Sequence, residues 1–170
     1  MTLDPNAPDL AVIALGGNLP GLYPSMAMAL AAAAGRLPEA GFQVRAVSRW
    51  WRSAAWPDPR DPPFLNGVVL ATTALEPEQA LRALHRIEVD FGRDRTAPNA
   101  PRTLDLDLIA LGDLVLEGPP LTLPHPRAAE RLFVMGPLAE LAPGWVHPVI
   151  GATAEQLASW AMIGQDAVPQ

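Results

Sequence analysis

Two acids in Arg102-Thr103-Leu104-Asp105-Leu106-Asp107-Leu108-Ile109 carry the clearest chemical signal of the chain. The stretch alternates polar and apolar with period two. As a strand it puts Thr103, Asp105 and Asp107 on one face and Leu104, Leu106 and Leu108 on the other. Same-side residues of a strand lie roughly 6.5–7 Å apart, and two carboxylates that close repel each other. Aspartate also competes for backbone hydrogen bonds and favours turns over strands. Two readings stand. The acids are solvated on an exposed edge strand, or they share a compensating partner, which is either Arg102 or a divalent cation.

Other polar candidates surround that strand. The segment before it, Arg93-Asp94-Arg95-Thr96-Ala97-Pro98-Asn99-Ala100-Pro101-Arg102, holds three arginines. They either make surface salt bridges, which contribute little, or serve a nucleotide polyphosphate, which needs cations and metal-binding acids around one cleft. All 12 basic residues of the chain are arginine. With no lysine, a P-loop and a lysine Schiff base are excluded, and any phosphate must be held by guanidinium groups, whose planar fork binds two oxygens at once. In Phe64-Leu65-Asn66, Phe64 and Asn66 face the same side of a strand. Asparagine is disfavoured there, but its amide presents a donor beside an acceptor, as the edge of a planar heterocycle requires, and an aromatic next to it can stack on that ring. His125, between Pro124 and Pro126, sits on a rigid extended backbone. His85 and Glu88 lie on neighbouring helix faces, where each taken singly reads as a solvated residue. Gly16-Gly17-Asn18-Leu19-Pro20-Gly21 lacks the third glycine of a dinucleotide loop and reads as a structural turn.

Composition sets the bounds. A chain of 170 residues with 49% apolar content suits one domain, 1–170, with an ordered core over about 10–160 and flexible ends at 1–9 and 164–170. No window approaches a membrane span, and the start Met1-Thr2-Leu3-Asp4 lacks the basic region of a secretory signal. The absence of cysteine removes disulfides, thiol nucleophiles and cysteine zinc sites, and is compatible with a cytoplasmic protein. A net charge of −6 argues against a general nucleic-acid binder. A monomer is the default expectation.

The elements that must position these residues follow from pattern. Leu10–Leu15 has strand length, Ser25 caps a helix over Met26–Leu37, and Gln43–Trp50 reads as a second strand. Trp51–Pro63 holds four prolines and is expected to be irregular. Phe64–Thr73 is a third strand. Leu75–Phe91 is a helix with proline and acids in its first turn, closed by Gly92. The acidic strand comes next, then a helix over Val134–Leu141 and a last short one over Thr153–Ala161.

Four stretches, in this order, resemble one family. They are Phe64-Leu65-Asn66, Ile87-Glu88 with Gly92-Arg93-Asp94-Arg95, Pro101-Arg102-Thr103-Leu104-Asp105-Leu106-Asp107, and Leu123-Pro124-His125-Pro126. The chain is similar to the 6-hydroxymethyl-7,8-dihydropterin pyrophosphokinases of folate biosynthesis from about Ala11 to Gly151. The resemblance implies an α+β ferredoxin-like sandwich, a mainly antiparallel sheet covered by helices with long active-site loops. It implies transfer of the β,γ-diphosphate of ATP to the pterin hydroxymethyl group, leaving AMP. Two Mg²⁺ ions would be held by Asp105 and Asp107, with Arg93 and Arg95 reaching the phosphates from a lid loop. His85, Glu88, Arg102, His125 and Arg131 would line the ATP site together with Arg93. Phe64 and Phe133 would sandwich the pterin, Asn66 would pair with its edge, and Ser53, Ala54 and Trp56 would complete its recognition. The general base is left open between Asp107 and a metal-acidified hydroxyl.

The chain departs from that pattern in two places. Pro98-Asn99-Ala100 replaces the Arg-Trp-Gly usual before Pro-Arg, which removes an aromatic. Ser53-Ala54-Ala55-Trp56 stands where Thr followed by Glu or Pro is usual, and Trp56 offers a replacement for the lost aromatic. A pterin- or nucleotide-binding relative without turnover is the alternative reading, and a ferredoxin-like nucleic-acid-binding domain is a third.

Overall fold

The computed structural model describes residues 2–92 and 104–170. Its elements run β1 (Leu10–Gly17), α1 (Met26–Ala34), β2 (Phe42–Val47), β3 (Trp51–Ser53), β4 (Phe64–Thr73), α2 (Pro77–Asp90) and β5 (Asp105–Leu111), then a single 3-10 turn (Ala128–Glu130), α3 (Leu132–Leu141), α4 (Ala154–Trp160) and β6 (Val168–Pro169). The sheet has six strands in the order β5-β1-β4-β3-β6, with β2 pairing the other half of the β4 edge. Every pairing is antiparallel. The path β5-β1-β4-β2 with two crossing helices is the ferredoxin-like arrangement expected from sequence.

The sheet separates two cores. Ile13, Leu15, Leu65, Val69, Leu104, Leu106 and Leu108 pack towards α1 and α2 with Leu30, Ala33, Leu84 and Ile87. Leu10, Val12, Val68, Leu70 and Ile109 pack towards α3 and α4 with Val134, Leu138, Trp145 and Leu157. Alternation along β5 therefore sends its leucines into the first core and leaves Asp105 and Asp107 on the α3 face, beside Ile109.

Several boundaries move for local reasons. Helix α1 ends at Ala34, where the ladder tightens: the Arg36 N–H donates to the Ala33 carbonyl and the Leu37 N–H to the Ala34 carbonyl, each three residues back. β1 runs through Gly16 and Gly17, which were expected in a turn, because both remain in register with Asn66 and Leu65 of β4. The expected strand Gln43–Trp50 divides at Ser48. There the Val68 N–H donates to Ser48 Oγ at 2.9 Å, and the chain resumes as β3 within the stretch expected to be irregular. β3 is possible because its residues pair with Phe64–Asn66 before the first proline, Pro57.

Both ends, expected from sequence to be flexible, carry specific contacts. Asn6 Nδ2 donates to the Val146 carbonyl at 3.0 Å and its Oδ1 accepts from the Val146 N–H at 3.1 Å. At the other end β6 pairs with β3, and the Gln170 N–H donates to the Trp50 carbonyl at 3.0 Å.

Candidate active site

One cross-strand row organises the α3 face. Asp105 of β5 pairs with Gly16 of β1, Gly16 pairs with Asn66 of β4, and Asn66 pairs with Trp51 of β3. Paired residues of an antiparallel sheet point to the same side. With strands about 4.8 Å apart, the acid and the amide sit roughly 10 Å apart across the sheet. Gly16 lies between them with no side chain. A Cβ there would collide with Oδ1 of Asn66, so glycine is what allows the amide to lie across β1. The rows on either side add Asp107 opposite Ala14 and Val68 in one direction, and Phe64 opposite Ser53 in the other. Asp105, Asp107, Phe64 and Asn66 are half-buried, while Ser53 is buried.

The start of α3 supplies the opposite wall. Phe133 packs on the α3-side core, and the Arg131 guanidinium carbon stands 5.8 Å from the centre of the Phe133 ring, within cation–π range. The helix is fixed from β3. Glu140 accepts from the Arg49 N–H at 3.1 Å, Arg49 Nε at 3.0 Å and Trp51 Nε1 at 2.9 Å. Desolvation opposes ionisation of Glu140, but those hydrogen bonds outweigh it and hold its carboxyl below the ordinary value. The Trp51 ring also lies so close to Gly136 that a Cβ there would come within 2.6 Å of it.

His125 enters beside β5, where its N–H donates to the Ile109 carbonyl at 2.8 Å. Its ring Nδ1 accepts from the Arg127 N–H at 3.3 Å. A neutral ring held that way carries its proton on Nε2. Burial lowers the His125 pKa, Arg131 and Arg127 push the same way, and Asp105 opposes them. Arg131 is also drawn below its usual value, first by burial and then by Arg127, against the pull of Asp107 and Asp105. It remains a cation at neutral pH. The two acids, His125 and Arg131 thus form one electrostatic group. Arg127 belongs to it and gave no signal in the sequence beyond its proximity to His125.

His85 and Glu88 come from the other side of the sheet. Glu88 is fully buried on α2, and its Oε1 accepts from the Leu106 N–H at 2.7 Å. It thereby reaches the outer edge of β5 between the two acids. His85 is half-buried one turn earlier. Ala54 and Trp56 lie exposed in the loop after β3, Trp56 with 85% of its surface accessible. Arg93, Arg95, Arg102 and the Pro98-Asn99-Ala100 departure lie outside the described residues.

Among the described residues no three or more His, Cys, Asp or Glu side chains gather as a metal cage. Two carboxylates on one face suit Mg²⁺, which binds through one or two acids and completes its shell with water and phosphate oxygen. They do not resemble a structural zinc site. A cavity of about 620 Å³ between Asp9, Phe42, Gln43 and Thr72 opens at the far end of β4, and its lining includes none of these site residues.

The model of the 7,8-dihydro-6-hydroxymethylpterin-pyrophosphokinase family matches residues 12–143. The chain belongs to this family. The match extends from β1 through α3 and so contains every site residue considered above. The 2-amino-4-hydroxy-6-hydroxymethyldihydropteridine pyrophosphokinase of Synechocystis is 45% identical over 147 residues, covering 86% of this chain and 73% of that protein. The pyrophosphokinase of Pseudomonas aeruginosa is 38% identical over 157 residues, covering 92% and 95%. Wild-type HPPK-DHPS of Plasmodium falciparum shares the fold at a TM-score of 0.67 and 14% identity, with 88% of this chain matching 44% of that one. The protein is therefore a pyrophosphokinase, a transferase of folate synthesis. No helix of the described residues is long and apolar enough to cross a membrane.

Proposed function

We propose that this pyrophosphokinase binds ATP and 6-hydroxymethyl-7,8-dihydropterin side by side on the α3 face, and that the transfer takes place over Gly16. The row Asp105–Gly16–Asn66 carries the reading. It sets a fixed acid pair at one end and a heterocycle-pairing amide at the other, with a bare strand between them. That spacing suits a pterin edge at Asn66 whose hydroxymethyl group points towards phosphates held at the acids.

The pterin ring lies between Phe64 and Phe133, with Asn66 reading its edge through one donor and one acceptor. The backbone of Ser53 and Ala54 completes its recognition, and Trp56 covers it from the loop. Arg131 and the Nε2–H of His125 hold triphosphate oxygens, Arg131 as a permanent cation and His125 as a neutral donor. Asp105 and Asp107 would hold two Mg²⁺ ions, which when bound neutralise the phosphates and acidify the attacking hydroxyl. In the transfer the hydroxymethyl oxygen bonds to the β-phosphorus and the bond from that phosphorus to the α–β bridging oxygen breaks. AMP departs with that oxygen, and the hydroxyl proton is released. Such a loose transfer depends mainly on positioning and charge neutralisation, which rigid strands provide. Arg93, Arg95 and Arg102 would add cations from the segment before β5, and His85 would border the nucleotide at the outer edge of β5, while the fully buried Glu88 would act there only by holding that edge. A cytoplasmic monomer fits the cysteine-free, acidic chain.

Replacing Asp107 with alanine tests this directly. Leu106, Leu108 and Ile109 hold β5 in the two cores, so the variant should fold with an unchanged circular dichroism spectrum and lose at least roughly a thousand-fold in AMP formation, the scale of removing a principal electrostatic element. Near-normal turnover would reject the metal role.

A further inference from the structure

The last ten residues converge on the two segments that wall the proposed pterin site. The Leu132 N–H donates to the Ile163 carbonyl and the Ile163 N–H to the Glu130 carbonyl, both at 2.9 Å, so the tail is stitched along the start of α3. Gly164 follows with φ +72°, and a Cβ on it would come within 2.5 Å of the Phe133 ring. The Ala54 N–H donates to Asp166 Oδ2 at 2.7 Å. β6 then pairs Val168 with Arg52 and Pro169 with Trp51. A backbone turn thus touches Phe133, and two residues later a carboxylate holds the first peptide beyond β3.

We infer that the C-terminal segment 163–169 is a third wall of the pterin site and that Asp166 is its positioning residue, fixing the Ala54–Trp56 loop against Phe133. This rests on the pterin-site reading above. Asp166 does not touch the substrate in this arrangement. It acts by satisfying and orienting one N–H at the point where the chain leaves the sheet. Charge-assisted bonds from a carboxylate to a backbone N–H are among the stronger ones, and this one joins residues 112 positions apart. A proline at position 54 would present no N–H and could not make this contact.

The test is steady-state kinetics on the full chain, with wild type, Asp166→Ala and Asp166→Asn and with hydroxymethyldihydropterin and ATP each varied. Asp166→Ala should raise KM for the pterin about five-fold, the scale of one typical hydrogen bond at an exposed position, with kcat and KM for ATP within two-fold (about the resolution of such assays). Asp166→Asn retains an acceptor oxygen and should recover most of the loss. A purely structural role would lower Tm and affect both substrates alike. Unchanged pterin KM, an equal rise in the ATP KM, or an asparagine variant as poor as the alanine one would each overturn the inference. If alanine does not fold, the asparagine variant still decides. Near-wild-type pterin KM together with an Ala54 amide protected from hydrogen exchange supports the contact, and a freely exchanging Ala54 amide refutes it. Absent wild-type turnover would instead count against the functional reading.

Discussion

Gly16 and Asn66 share one space: a Cβ on the glycine would occupy the position of the asparagine Oδ1. The two residues are directly paired in neighbouring strands, so the amide is aimed by what its neighbour lacks. Gly16→Ala should therefore act as a substrate-site mutation although Gly16 itself offers no functional group. Its backbone stays extended, so the fold should survive. Asn66 must turn away, and kcat/KM for the pterin should fall by roughly thirty-fold, or about 2 kcal/mol, the cost of misplacing a paired hydrogen-bonding group. Calorimetric pterin binding and turnover check this; an alanine variant with wild-type pterin affinity would refute it.

Glu88 separates stability from catalysis. Its buried carboxylate accepts the Leu106 N–H on the outer edge of β5, where no further strand pairs among the described residues. Glu88→Ala leaves that donor without this partner, at a cost of about 1–3 kcal/mol. For a chain of this size that corresponds to a fall in Tm of about 4–8 °C for a 2 kcal/mol loss. Glu88→Gln, which keeps an acceptor oxygen, should lose less. Thermal melts of the two variants provide the comparison, and equal melting temperatures for wild type and alanine would exclude the edge-bond role.

The facing of the acid strand was legible in the sequence because its period-two pattern holds in the structure: leucines inward, Asp105 and Asp107 together on the other face. The shared face of Phe64 and Asn66 was legible for the same reason. The role of Gly16 was not, because it depends on cross-strand register, which adjacent residues along one chain do not encode. Gly16 looked like punctuation next to Gly17 and Pro20. β3 was hidden by the prolines that follow it, and the Asp166–Ala54 contact by its long separation along the chain. Glu88 read as a solvated helix residue because a helical period says nothing about an edge N–H waiting beside it.

The histidines set a pH dependence with a definite sign. Burial lowers the pKa of both His125 and His147, and Arg131 and Arg127 lower that of His125 further. Between the lowered folded value and the unfolded value near 6.5, the unfolded chain binds more protons, so stability rises with pH. The contribution is complete above about 6.5 and is lost as pH falls through the folded values. His147 Nδ1 accepts the N–H groups of Val149 at 3.2 Å and Ile150 at 3.1 Å, and protonation would set a donor against both. His147→Asn keeps an acceptor and removes the titration, so it should flatten the decline of Tm between about pH 7 and pH 5. An unaltered slope would show that His147 does not contribute. Activity should also fall on acidification, because a proton on His125 Nδ1 faces the Arg127 N–H.

Diphosphate transfer leaves AMP, so the nucleotide product distinguishes it from transfer of a single phosphoryl group. The protein is incubated with ATP, Mg²⁺ and 6-hydroxymethyl-7,8-dihydropterin, and the products are resolved by chromatography. AMP and pterin diphosphate should form in equal amounts, with AMP absent when the pterin is withheld. Formation of ADP with a pterin monophosphate, or no AMP above background from well-folded protein, would contradict it.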